Sequence, residues 1–124
     1  MKKKFYPVGK EVIADFFDCR NFTDSSRKIK KVVLESLDVG SLHLVKYDCV
    51  RYEVQGLSVC AFLKESSLTI HTYPEWNFLS INCFTCGSEG NVEKAVEYLE
   101  EFFKPQKVNK ISLNRGYNLS TFQK

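Results

Sequence analysis

Along residues 62–87, F-L-K-E-S-S-L-T-I-H-T-Y-P-E-W-N-F-L-S-I-N-C-F-T-C-G, an acid-serine step (Glu65-Ser66), a histidine (His71), a carboxylate (Glu75) and a thiol (Cys86) fall on two short strand-like runs. A serine hydroxyl can attack the carbonyl of the residue before it when the backbone there is strained. The resulting ester eliminates to dehydroalanine and hydrolyses to a pyruvoyl-capped chain. Such chemistry needs a serine at a turn with a base nearby. Glu65-Ser66 lies between two strand runs, and His71 is the one histidine close to it in sequence. An imidazole with an ordinary pKa of ~6.5 is a suitable proton carrier at neutral pH. Taken singly, the same residues also fit an ordinary polar turn and a satisfied strand histidine.

Cys83-x-x-Cys86 invites a second chemistry, a metal or redox pair. No second Cys or His set accompanies it, which weakens that reading. If the run stays a regular strand, residues three apart point to opposite faces and the two sulfurs cannot share an ion. No metal site is expected.

The elements that must position these residues follow from periodicity. Val8 to Cys19, rich in β-branched and aromatic residues, predicts a first strand. Thr23-Asp24-Ser25 supplies N-cap chemistry. Beyond it Ile29, Val32, Val33 and Leu37 share one helical face, ending near Asp38-Val39-Gly40. Leu42 to Tyr52 and Leu57 to Leu63 are strands joined around Gln55-Gly56, and Leu68 to Tyr73 and Phe78 to Phe84 pair around Pro74-Glu75-Trp76-Asn77. Connections this short exclude a parallel crossover. Asn91 opens a second helix, with Val92, Ala95, Val96, Leu99, Phe102 and Phe103 on one stripe and Pro105 closing it. Val108 to Leu113 is a last strand before an Asn114-Arg115-Gly116-Tyr117 turn. The order β-α-β-β-β-β-α-β predicts an α+β two-layer sandwich, a mostly antiparallel sheet with two helices on one face. The other sheet face must then be solvated or covered by a partner.

At 124 residues the chain reads as one domain, 1–124, small enough that pairing with another copy would help bury its core. Its basic start, Met1-Lys2-Lys3-Lys4, runs into Pro7, Gly9, Lys10 and Glu11 where a signal peptide needs apolar residues, so it reads as a solvated leader. No apolar run approaches the ~20 residues that span a bilayer, and no membrane association is expected. The net charge of +3 comes from dispersed lysines rather than a basic stripe, which argues against a nucleic-acid partner. Five cysteines is an odd count, pointing to free thiols and a cytoplasmic setting.

The run E-S-x-L-T-I-H-T-x-P-E followed by F-T-C-G resembles the self-cleaving segment of the prokaryotic S-adenosylmethionine decarboxylase proenzyme family, whose members are pyruvoyl-dependent. The resemblance runs in outline from Gly9 to Gly116 and is specific over 56–87. It implies cleavage between Glu65 and Ser66 into a β chain, 1–65, and an α chain, 66–124, with Ser66 becoming the pyruvoyl group that forms a Schiff base with the substrate amine. The amide carbonyl adjacent to the pyruvoyl ketone would then accept electrons as carbon dioxide leaves, much as a pyridoxal ring would. It further implies that His71 and Ser58 assist processing and that Cys86 returns a proton to the α-carbon. A thiol near its reference pKa of ~8.5 is mostly protonated at neutral pH and can donate. Tyr52 aligns with an aromatic that stacks on adenine, and Glu75 with a carboxylate that takes the ribose hydroxyls. A homodimer of processed units is implied as well.

Three positions depart from the family pattern. Gly9-Lys10-Glu11 stands where G-x-H is frequent, Ser67 where histidine usually follows the cleavage serine, and Tyr73 where tryptophan is usual. Glu11, if it faces the pocket, could pair with a distal ammonium or guanidinium, so arginine or ornithine is an alternative substrate to S-adenosylmethionine. Otherwise Glu11 is a solvated charge on an edge strand. A further alternative is an unprocessed, non-catalytic partner subunit.

Overall fold

A computed structural model describes residues 8–86 and 90–116. The basic leader, Gly87 and Tyr117 lie outside the described residues. The elements are β1 (Gly9–Cys19), α1 (Ser26–Val39), β2 (Leu44–Arg51), β3 (Leu57–Leu63), β4 (Ser66–Tyr73), a 3-10 turn (Pro74–Trp76), β5 (Phe78–Cys86), α2 (Val92–Phe103) and β6 (Pro105–Arg115). The strands form one six-stranded sheet in the order β2-β3-β4-β5-β1-β6, and every pairing is antiparallel. The α+β two-layer sandwich read from the sequence is the architecture found.

Alternation along the strands produces the two layers. In β5 the odd positions Leu79, Ile81 and Cys83 are buried, while Ser80, Asn82, Phe84 and Cys86 are half-buried on the other face. The buried row meets Ile29, Val32, Val33 and Leu37 of α1 and Val92, Ala95, Val96, Leu99 and Phe103 of α2 in one apolar core. Each helix is capped as its sequence suggests. Ser25 Oγ accepts from the Lys28 N–H at 3.3 Å, and Asn91 Oδ1 accepts from the Lys94 N–H at 3.0 Å. Caps of this kind are worth about 1 kcal/mol each. Among the described residues no helix is long and apolar enough to cross a membrane.

Several boundaries differ from the periodicity, and β5 runs on to Cys86 where the pattern ended at Phe84. The last strand begins at Pro105 and runs to Arg115. Lys104 takes a left-handed conformation (φ 52°) that ends α2, and Pro105, which lacks an N–H, is tolerated as the first residue of an edge strand. Asn114 and Arg115 therefore pair with Lys10 and Gly9 of β1 instead of forming a turn. Likewise β4 begins at Ser66 rather than Leu68, because a two-residue turn, Lys64-Glu65, closes the hairpin with Leu63 opposite Ser66. At the far edge Leu42 precedes β2, which starts at Leu44.

The sheet face away from the helices is polar along its middle, with Ser58, Ser67, Thr69, His71, Ser80 and Asn82 half-buried on three adjacent strands. Exposed apolar side chains flank that polar strip, Val50 and Phe62 towards the β2 edge and Ile111 and Leu113 on β6. Cys83 points the other way, into the core, and burial, followed by the nearby Glu11 charge, pushes its thiol from 9.0 up to about 12. The folded chain thus holds a proton that the unfolded chain releases above pH 9. That contribution to stability is complete below pH 9 and is lost as pH rises towards 12. The urea midpoint should fall across this window in the wild-type chain and fall less steeply in Cys83→Ala, as followed by circular dichroism.

Candidate active site

The structure sorts the residues singled out by the sequence into two groups at opposite ends of β4. The first is the cleavage step and its neighbours. Glu65 adopts φ 61°, the left-handed region, at the second position of the hairpin turn. For a residue with a Cβ that conformation costs roughly 1–2 kcal/mol. Ser66 follows as the first residue of β4, and its Oγ is held from two sides. The Cys86 backbone N–H donates to it at 3.1 Å, and its own hydroxyl donates to Thr85 Oγ1 at 3.1 Å. Thr85 is buried, so Ser66 Oγ lies at the end of the sheet facing a dry, polar contact. The Cys86 side chain is half-buried and points to the open face, opposite to Cys83.

Glu11 belongs to the same end. It stands opposite Phe84 of β5 and Leu113 of β6, on a central strand and not an edge. Its side chain is only 12% exposed, and its carboxylate accepts from Asn82 Nδ2 at 2.9 Å while pairing with the Arg115 guanidinium. Glu11, Arg115, Ser67 and Phe84 line a recess of about 430 Å³. A solvated edge charge is therefore not what this residue is; it is a covered carboxylate already engaged by a cation.

The second group is Tyr52, Ser58, His71 and Glu75. Ser58 and His71 are directly opposite each other across the β3–β4 ladder. Ser58 Oγ lies 2.5 Å from His71 Nδ1, and Tyr52 Oη lies 2.6 Å from Ser58 Oγ. The turn before β3 makes this possible. Tyr52 N–H donates to the Gly56 carbonyl at 3.0 Å, and Gly56 takes φ 90°, where a Cβ would lie 2.9 Å from the Thr72 carbonyl. Only glycine fits there without strain. Thr72 Oγ1 then accepts from the Leu57 N–H at 2.9 Å and clamps the start of β3 beside His71. Glu75 is exposed on the 3-10 turn that follows β4, whose Pro74 borders the same glycine as Tyr52.

The two groups do not meet within one chain. Ser66 and His71 are five residues apart on one strand, roughly 16 Å at about 3.3 Å per residue, and an odd separation sends their side chains to opposite faces. Sequence reasoning brought them together because they are near in number. It passed over Thr85, although F-T-C-G contains it, and Arg115, which carried no signal because its segment looked like a turn.

A profile of the S-adenosylmethionine decarboxylase family matches residues 10–116. Relatives include the S-adenosylmethionine decarboxylase proenzyme of Thermosipho melanesiensis, 34% identical over 110 residues that cover 88% of this chain and 85% of that protein. S-adenosylmethionine decarboxylase proenzyme 2 of Bacillus anthracis is 30% identical over 114 residues, covering 91% and 93%. Among solved structures, the adenosylmethionine decarboxylase of Aquifex aeolicus shares the fold, with a TM-score of 0.81 at 19% identity over 89% of this chain and 92% of that one. The strained acid-serine hairpin thus sits in a two-layer α+β scaffold already seen in a decarboxylase. The chain belongs to the S-adenosylmethionine decarboxylase family.

If strain at Glu65 is built into the hairpin, Glu65→Gly should relieve it. Placed in the uncut Ser66→Ala background, the glycine should raise stability by up to about 1 kcal/mol in urea titrations, since glycine accepts φ 61° freely. With Ser66 intact, the same substitution should slow the appearance of cut chain on denaturing gels.

Proposed function

We propose that this chain is a self-processing S-adenosylmethionine decarboxylase that cuts itself between Glu65 and Ser66 and converts Ser66 into a pyruvoyl group. The observation that carries the reading is the left-handed Glu65 immediately before a serine whose Oγ is fixed by Cys86 N–H and Thr85. Attack of Oγ on the Glu65 carbonyl releases the strained peptide geometry and gives an ester. Removal of the Ser66 α-proton expels the Glu65 carboxylate, and water then replaces the nitrogen, which leaves as ammonia. Precursor and one water thus yield two chains and one ammonia. The pyruvoyl group at Ser66 would supply a carbonyl for the substrate amine and, through its adjacent amide carbonyl, an electron sink for loss of carbon dioxide. Cys86, whose side chain lies on the open face at this end of the sheet, would return the proton.

The separation of Ser66 from His71 argues for a homodimer. Two copies stacked through their open faces, about a two-fold axis, would set the strand end that carries Ser66 and the open-face Cys86 of one against the Tyr52–Ser58–His71 end of the other, so that the partner's imidazole approaches the Ser66 backbone from the face opposite its Oγ. The half-buried polar strip and its apolar flanks are then covered. Tyr52 and Glu75 of one copy would receive the adenosyl group of a substrate held at the other copy's Ser66, in a cytoplasmic enzyme supplying decarboxylated S-adenosylmethionine for spermidine synthesis. The basic amino-acid alternative asks Glu11 for a free carboxylate. Arg115 and Asn82 already occupy that carboxylate, so nothing favours arginine or ornithine. The non-catalytic alternative is disfavoured because the serine, its fixing contacts and the histidine are all in place.

Intact mass under denaturing conditions tests the reading. Two chains are expected, 1–65 and a 66–124 chain lighter by one ammonia than its unmodified mass, with a single uncut chain from Ser66→Ala. Carbon dioxide release should follow with S-adenosylmethionine and not with arginine or ornithine. An uncut wild-type chain, or turnover of arginine alone, would overturn it. For the dimer, His71→Ala should stay uncut by itself and should be cut after co-folding with Ser66→Ala chains, which supply the missing imidazole. If His71 acts within its own chain, co-folding will change nothing.

A further inference from the structure

Tyr52 carries a hydroxyl that a stacking role does not need. Resting on the self-processing reading above, we propose that this hydroxyl is a positioning group: it sets the tautomer of His71, so that Nε2 is left free to act as the base in processing.

The geometry is a chain of three polar atoms, Tyr52 Oη, Ser58 Oγ and His71 Nδ1, spaced 2.6 Å and 2.5 Å. A neutral imidazole has one N–H, and each hydroxyl has one proton, so with Ser58 donating to one of its two neighbours the protons run in one of two directions. In one, Tyr52 donates to Ser58, Ser58 donates to Nδ1, and the imidazole proton sits on Nε2. That ring cannot accept a proton at Nε2. In the other, Nδ1–H donates to Ser58 Oγ, Ser58 donates to Tyr52 Oη, and Nε2 keeps its lone pair. The tyrosine proton is then surplus and must find an acceptor outside the chain of three. Tyr52 is 50% exposed, so water is available to it, and every donor in the second arrangement is satisfied.

The phenolic oxygen is what makes the second direction possible. Without it Ser58, held half-buried opposite His71, has Nδ1 as its acceptor at hydrogen-bond distance, and the imidazole proton moves to Nε2. The ring is held to this duty by backbone contacts that do not depend on the hydroxyl. Tyr52 N–H is bonded to Gly56, and Gly56 is pressed against Thr72. A tyrosine-to-phenylalanine change therefore removes one atom from the relay and leaves the turn as it is.

The tautomer can be read directly, because the chain has only two histidines, His43 and His71. Nitrogen-15 NMR of the imidazoles in the uncut Ser66→Ala protein, with His43→Gln to assign signals, should show His71 protonated on Nδ1 and bare on Nε2. Adding Tyr52→Phe should shift the population to the Nε2–H form, and Ser58→Ala should break the relay and abolish the Nδ1–H preference. In the chain with Ser66 intact, Tyr52→Phe should lengthen the half-time of self-cleavage about ten-fold, less than the roughly 10²–10⁴-fold a well-placed base contributes, because the imidazole itself remains. An unchanged tautomer in Tyr52→Phe, or cleavage at the wild-type rate, overturns the proposal. The self-processing reading is separately exposed: His71→Ala must block cutting while Tyr52→Phe only slows it. Normal cutting by His71→Ala overturns the role of His71, and the tyrosine proposal with it.

Discussion

The two-residue turn that closes β3 onto β4 sets everything else. With only Lys64 and Glu65 between the strands, Leu63 must face Ser66, and the ladder then dictates that Ser58 faces His71. The same strand pairs on its other side with β5, where Ser67 faces Phe84 and Ser66 comes within bonding distance of Thr85 and Cys86. A slip of one residue would send Ser67, Thr69 and His71 into the core and Leu68 and Ile70 out. Leu68 and Ile70, both fully buried, forbid that slip. The apolar pattern of one strand thus fixes the chemistry of both ends.

This register also explains how a left-handed glutamate survives. The penalty of roughly 1–2 kcal/mol at Glu65 is local, whereas the pairings that impose it are spread over two ladders and a core of buried aliphatic side chains. Relaxing Glu65 alone would require opening the hairpin from its tip. Strain is therefore held at the one peptide whose cleavage would release it. Gly56 illustrates the opposite solution at the other end of β4. There the backbone also needs a positive φ, but the Thr72 carbonyl leaves no room for a Cβ, and glycine carries the conformation without strain.

Much of this was legible in the sequence, and the parts that were not share a cause. Alternation and helical periodicity identified every strand and both helices, because burial against one layer of helices enforces a clean pattern. The acid-serine step and the thiol stood out by residue type. The placing of His71 beside Ser66 did not survive, since proximity in number along a strand means distance in space. Strand arithmetic alone would have shown this once β4 was known to begin at Ser66, but Ser66 and Ser67 are not apolar and the pattern became visible only at Leu68. Cross-strand partners such as Ser58 with His71, or Glu11 with Arg115, depend on turn lengths and on which strands are neighbours. The insertion of β1 between β5 and β6 has no local signal at all.

The spacing of Ser66 and His71 also bears on why a chain this small would act as a pair. A six-stranded sheet with helices on one side has no second sheet to bring the two ends of β4 together, and no bend in a hydrogen-bonded strand can close a gap of roughly 16 Å. An internal solution would need another sheet stacked on the open face. In the homodimer proposed above a second copy would supply that sheet, and a two-fold axis across the strands would bring the His71 end of each copy to the Ser66 end of the other. One such pairing would complete two sites at once, each built from the halves of two chains. The open face is suited to this because it is polar only along a central strip. There the serines, Thr69 and His71 keep hydrogen-bonding capacity for the chemistry, while Phe62, Ile111 and Leu113 flank it with apolar area. In a lone chain those flanking side chains stay in water, so the surface left uncovered by the fold and the chemistry left incomplete by the strand call for the same partner.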